Sequence, residues 1–252
     1  MLKTRIIPTL LYRDHGLVKG VGFDSWRRVG TALPAVKVYC AREVDELILV
    51  DISATREGRL VDIEEVDAIA DECFMPLTVG GGVRTTDDFR RILRAGADKV
   101  AVNSGAIERP GLIRDAAAQF GSQCVVVSID FKPASPGVAR VYSRCGSADT
   151  GLDVVAWARE VESLGAGEIL LTSVDRDGTM TGYDIEITRA VTDAVQIPVI
   201  AAGGAGSYRD MHDVILNGGA SAVAAASIFH FTQQTPLECK RYLRDQGIAV
   251  RL

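Results

Sequence analysis

The chain has 252 residues, 47% hydrophobic and 24% charged, which suits one large core at the usual length of a single α/β barrel. A formal net charge of −5 excludes a general basic footprint for nucleic acid and favours a small-molecule or protein partner. Five cysteines without a CxxC pair point to reduced thiols in a cytoplasmic protein. No run approaches the roughly 18 to 20 apolar residues of a membrane span.

The elements alternate from the start. RIIPTLL is short, apolar and β-rich, and reads as a first strand, 5–11, rather than as a signal peptide. Further strands are expected at 46–52, 77–79, 99–103, 124–130, 168–172, 199–202 and 222–226. LILVDI, VVVSID and PVIAAGG are near-continuous apolar runs, as parallel strands buried on both faces require. Amphipathic helical patterns lie between them at 61–73, 86–95, 110–120, 153–164, 184–195 and 208–217. Strand and helix in strict alternation predict a TIM (β/α)8 barrel.

An internal repeat supports closure over an open sheet. PLTVGGGVRTTDDFRRILRAGADKVAVNSGAI, from Pro76, returns as PVIAAGGAGSYRDMHDVILNGGASAVAAASIF, from Pro198. DELILVDISATREG, from Asp45, echoes GEILLTSVDRDGT, from Gly167. Residues 1–252 are therefore read as one domain of two half-barrels, about 1–122 and 123–252. The one long irregular stretch, 131–151, is expected to be a lid-like loop whose VARVYSRCG centre suits a small hairpin.

Strand ends form the catalytic face of such a barrel, so residues there take a functional reading first. Glycine turns with Gly81 and Gly82 follow strand three, and Gly203 and Gly204 follow strand seven; Asn103-Ser104 and Ala226-Ser227 follow strands four and eight. Backbone N–H groups without Cβ obstruction, next to helix N-termini, bind anions. One such turn is weak evidence, but two in repeated halves predict two phosphate sites facing each other, and so an elongated ligand with an anion at each end. Asp130 ends strand five and suits general acid/base work. Asp51 ends strand two. Asp177, Gly178 and Thr179, after strand six, either bind phosphate or cap a turn, and Lys19 in the first loop either pairs with an anionic substrate or is a solvated charge. His15, His212 and His230 fit no nucleophile or metal spacing, and no metal or other cofactor is implied. Arg5, Glu46, Lys99 and Glu168 begin strands one, two, four and six and can converge on the axis. Alone, they suggest a stabilising salt-bridge plug.

RIIP, GLVKG, DELILVDI, PLTVGGGVR, RAGADKVAVNS, FGSQCVVVSID, GAGEILLTSVDRDGT, PVIAAGGAG, AASIFHF and GIAVRL resemble, in order and over essentially the whole chain, the HisF family of cyclase subunits. The resemblance implies a barrel that binds a doubly phosphorylated substrate at its top. It also implies a HisH-like glutaminase docked at the bottom as a heterodimer, with ammonia passing up the interior. It turns Arg5, Glu46, Lys99 and Glu168 into an ammonia gate, and places Lys19, Gly82, Asn103, Asp177, Gly204 and Ser227 in substrate-binding loops.

One departure stands out. The family pairs an aspartate ending strand one with one ending strand five. Asp130 matches the second, but Leu11 occupies the place of the first, and Thr9 stands where cysteine is usual. Asp14 substitutes for it only if the first loop folds inward. The change resembles a sister group, the glycosyl amidation-associated (WbuZ-type) proteins, as do the MLK start and ECFMPL. Such proteins are expected to supply ammonia to a separate sugar amidotransferase for bacterial surface polysaccharide. The alternatives are a true imidazole glycerol phosphate synthase cyclase and a non-catalytic scaffold for the glutaminase.

Overall fold

Alternation along each apolar run decides which side chains face the barrel axis and which face the helices. The computed structural model describes residues 3–252, so the first two residues of the MLK start lie outside it. Its strands are β1 (Arg5–Arg13), β2 (Gly16–Val21), β3 (Asp24–Gly30), β4 (Leu47–Asp51), β5 (Leu77–Gly80), β6 (Lys99–Val102), β7 (Val125–Ser135), β8 (Val138–Ser143), β9 (Ala148–Asp153), β10 (Glu168–Ser173), β11 (Val199–Ala202) and β12 (Ala222–Ala225). The helices are α1 (Ala32–Ala41), α2 (Ala54–Glu57), α3 (Ile63–Ala70), α4 (Thr86–Arg94), α5 (Ser104–Glu108), α6 (Gly111–Phe120), α7 (Val154–Ser163), α8 (Ile185–Thr192), α9 (Tyr208–Leu216), α10 (Ser227–Phe231) and α11 (Pro236–Asp245). No helix among the described residues is long and apolar enough to cross a membrane.

Eight parallel strands, in the order β1, β4, β5, β6, β7, β10, β11 and β12, close on themselves through β12 and β1. The expected TIM barrel is the fold. Two apolar clusters follow from the alternation. Ile6 and Leu10 of β1 join the outer cluster between strands and helices, while Ile7 joins Ile48, Val126, Leu170 and Ile200 inside the barrel. The inner cluster is completed by small residues, Ala101, Ala222 and Ala224. The repeat is visible in local chemistry too. Thr85 and Asp88 form a capping box on α4, and Ser207 and Asp210 form the same box on α9, each just past a glycine turn.

One expectation changes and another is extended. The supposed first loop is the antiparallel ribbon β1–β2–β3, and the hairpin expected at VARVYSRCG is part of a longer ribbon, β7–β8–β9, that takes up the stretch 131–151. Both grow from the first strand of a half-barrel, which simply continues past its barrel segment and folds back. Asp14 and His15 connect β1 to β2 as a two-residue turn with φ of 48° and 57°, and Gly22 and Phe23 connect β2 to β3 with φ of 60° and 61°. Positive φ at both central positions marks the primed turns that match strand twist. The turns carry little of the expected glycine, which is why the sequence pattern hides them.

Candidate functional site

A cavity opens at the C-terminal ends of the parallel strands, and its floor reaches Ala101, Leu170 and Ala224 of the inner core. Four sides of its wall differ chemically. At β5 and β6 stand Gly81, Gly82, Asn103, Ser104 and Gly105, with Arg84 at the rim. Diametrically across, at β11 and β12, stand Gly203, Gly204, Ala226 and Ser227. These cups need their glycines. A Cβ on Gly82, whose φ is 70°, would lie 1.8 Å from the Arg59 carbonyl, and one on Gly204 would lie 2.2 Å from that of Gly182.

The two cups are not equally engaged. Ser104 Oγ donates to Asn103 Oδ1 at 3.2 Å and accepts the backbone N–H of Arg144 at 2.9 Å. The Asn103 amide donates to the carbonyls of Ser128 and Tyr142, both at 3.1 Å, so it anchors the second ribbon. The Ser227 hydroxyl is buried and has no partner among the described residues. An orphan buried hydroxyl beside a glycine turn suits a ligand oxygen.

The third side, β7 and β10, carries Ser128, Asp130 and Thr172. Asp130 is buried, and that burial pushes its carboxyl up to about 7; the Ser128 hydroxyl, 3.2 Å away, pulls it down, and the charge of Asp177 raises it further. Lys19 reaches over this side from β2. It is 2% exposed, and its Nζ donates to Asp177 Oδ2 at 2.5 Å. Burial raises the Asp177 carboxyl, against the pull of Lys19. Lys19 is thus neither in a loop nor solvated. Its strand alternates into the cavity, and the first ribbon is pinned to the loop after β10 by this pair and by the Gly22 N–H on the Asp177 carbonyl.

On the fourth side, β1 and β4, Thr9, Leu11 and Val50 line the cavity together with one acid, Asp51, and Trp26 and Phe23 lean over it from the first ribbon. Asp14 does not come to this site. Its side chain is 73% exposed at the ribbon's outer turn and pairs with Arg13 at 3.1 Å. That corrects the inward-loop expectation: a two-residue turn directs Asp14 away because β1 and β2 stay paired up to Arg13 and Gly16. Thr179 is also corrected. Its hydroxyl donates to the Arg176 carbonyl at 2.7 Å and caps the turn, outside the cavity wall that Asp177 and Gly178 share. Asp51 accepts from Ser53, Ala54 and Arg59 and braces the turn after β4. His15 and His212 lie outside the wall. So does His230, whose ring burial holds below its ordinary pKa.

At the opposite end of the barrel the four predicted charges meet. Arg5 bonds Glu46 at 2.6 Å and Glu168 at 2.9 Å, and Lys99 bonds both acids at 3.0 Å. Signs alternate around a closed ring, and Thr78 donates to Glu46 at 2.8 Å. Both acids begin equivalent strands of the repeat; both cations come from the first half. Nearby, Lys240 pairs with Asp45 at 2.8 Å, with both side chains buried, a contact the sequence pattern does not announce. Phe23, Trp26, Arg84, Ser128, Cys145 and Thr172 are among the cavity residues that sequence reasoning missed. The alternation of GLVKGVGFDSWRRVG about Gly22-Phe23 is the signal that would have found the first two.

Comparison with known protein families adds one finding: a family model described as "Histidine biosynthesis protein" matches residues 5–235.

Proposed function

Because the chain belongs to the histidine biosynthesis protein family, the enzymes that include HisF-type barrels, we propose that it is a HisF-like synthase subunit. In this reading it takes ammonia from a HisH-like glutaminase and serves amidation of a bacterial surface sugar. The closed ring of Arg5, Glu46, Lys99 and Glu168 carries the ammonia reading. Charges taken from water are held only because each has two opposite partners, so a partner that competes for one of them opens the axis without unfolding the barrel.

Leu11 carries the departure from the histidine pathway. Leucine neither gives nor takes a proton, and losing one member of an acid/base pair costs ~10²–10⁴ in rate. The cups and Asp130 support a retained doubly anionic ligand. A genuine cyclase is the second reading, favoured by Asp130 poised near neutrality beside the Lys19–Asp177 pair.

The test is partnership. Co-expression with HisH-like glutaminases is expected to yield a one-to-one complex whose glutaminase rate rises when a bisphosphate occupies the barrel. A stable complex without any rate change leaves the scaffold reading, and no complex with any glutaminase overturns the proposal.

A further inference from the structure

Two of the five thiols meet at the end of the barrel that carries the charged ring. Cys40 lies in the last turn of α1, and Cys73 lies in the loop between α3 and β5. The Cys40 thiol donates to the Glu72 carbonyl at 3.1 Å, on the peptide unit that joins Glu72 to Cys73. Bond lengths then put the Cys40 sulfur within about 6 Å of the Cys73 Cα. The Cys73 thiol donates to the Met75 carbonyl at 3.4 Å. Turned toward Cys40 instead, its sulfur would stand about 3 Å away or less, against the ~2.0 Å of a disulfide. Both cysteines are free and half-buried, and Lys37 on α1 pairs with Glu72 at 3.0 Å, which holds the loop against the helix.

The segments that bear these thiols also set one corner of the ring. The chain runs from Cys40 to Glu46 and from Cys73 to Thr78, and Thr78 donates to Glu46 at 2.8 Å. The Leu47 N–H donates to the Pro76 carbonyl at 2.9 Å. Phe74, 89% exposed, follows Cys73 on the same rim.

We infer that Cys40 and Cys73 are a redox-modification site, which small-molecule disulfides convert to a reversible internal disulfide that clamps the Glu46 corner of the ring. The Cys40 thiolate attacks one sulfur of the reagent, whose S–S bond breaks and releases one thiol. The Cys73 thiolate then attacks the Cys40 sulfur of the mixed disulfide and releases the second thiol. The chain loses two electrons and two protons, and the reagent gains both. Burial pushes the Cys73 thiol up to about 11, which suits it to the second, intramolecular step. A bond between the two segments restrains the movement by which Glu46 could leave the ring. The bearing of that clamp on ammonia rests on the reading of the ring as an entrance; the disulfide itself does not.

The probe is oxidised glutathione, added to the full chain and followed by intact mass and peptide mapping. The expected result is the loss of two hydrogens per chain and a cross-linked Cys40–Cys73 peptide pair, reversed by dithiothreitol. Cys124→Ser is expected to behave like the native chain, whereas Cys40→Ser and Cys73→Ser, checked for folding by circular dichroism, form no internal cross-link. A glutathione adduct that never resolves, no reaction at either cysteine, or a cross-link through Cys124 overturns the inference. Hydrogen exchange then reads the clamp: amides of residues 72–78 are expected to slow about tenfold on oxidation. Unchanged exchange in the cross-linked chain overturns the clamp. Failure of every glutaminase to bind the reduced chain overturns the ammonia reading and leaves the disulfide standing.

Discussion

Leu11 and Asp130 stand at the same station in the two halves of the barrel, one apolar and one acidic. Leu11 lies in register with Val50 on β4, and Asp130 with Thr172 on β10, and Val50 and Thr172 are themselves equivalent in the repeat. Both strands then continue into a ribbon that roofs the cavity. The halves thus keep one backbone plan while their chemistry has diverged.

Asp130 makes stability depend on pH. Its folded pKa, about 7, lies above its ordinary 3.8, so the folded state binds the proton more tightly than the unfolded one. Its contribution is therefore most favourable below pH 4 and is lost as pH rises through 7, by on the order of 2–4 kcal/mol. Urea unfolding of the protein and of Asp130→Asn across pH 4 to 9 checks this. The variant is expected to gain relative stability up to pH about 7 and to level off above it. A difference independent of pH contradicts the shift.

The cups can be separated from the fold by their hydroxyls. Ser227→Ala removes an unpartnered group, so stability is expected to hold or rise while affinity for a bisphosphate falls about tenfold. Ser104→Ala strands the Arg144 N–H and is expected to cost about 1 kcal/mol as well. Thermal melts and calorimetry on the two variants distinguish them.

Glycine at position 82 is a matter of space and of φ. Gly82→Ala drives a methyl group onto a carbonyl and is expected to cost more than about 2 kcal/mol and abolish ligand binding. Gly111→Ala, at the first turn of α6 with nothing within 4 Å, is the contrast: a gain of about 0.5 kcal/mol is expected. Chemical denaturation measures both.

The charged ring is breakable by a single change. Lys99→Met leaves Glu46 and Glu168 facing each other with only Arg5 between them, and is expected to cost about 3 kcal/mol in unfolding free energy. In a complex with a glutaminase, the same variant is expected to leak ammonia to solvent, seen as glutamine consumed beyond product formed.

Much of the molecule was legible because it rests on period and repetition. Continuous apolar runs mark the eight barrel strands to within a few residues, and repeated glycine turns mark both cups. Lys19, Asp14 and Thr179 were less legible, each for its own reason. Lys19 looks like a loop cation because its ribbon turns on Gly22-Phe23, an uncommon primed-turn pair. Asp14 sits near the site in sequence but at the outer end of a paired ribbon. Thr179 is spent on its own turn. The Lys240–Asp45 pair joins residues nearly two hundred positions apart, and no local pattern marks it.

The most direct measurement is ammonia-driven turnover of the phosphoribulosyl formimino substrate at high pH, comparing the native chain with Leu11→Asp. The account predicts a native chain that binds the substrate without turning it over, and a variant that gains at least ~10² in rate as the missing acid/base group is restored. A native chain already turning over as fast as Leu11→Asp would contradict it and return the protein to the histidine pathway.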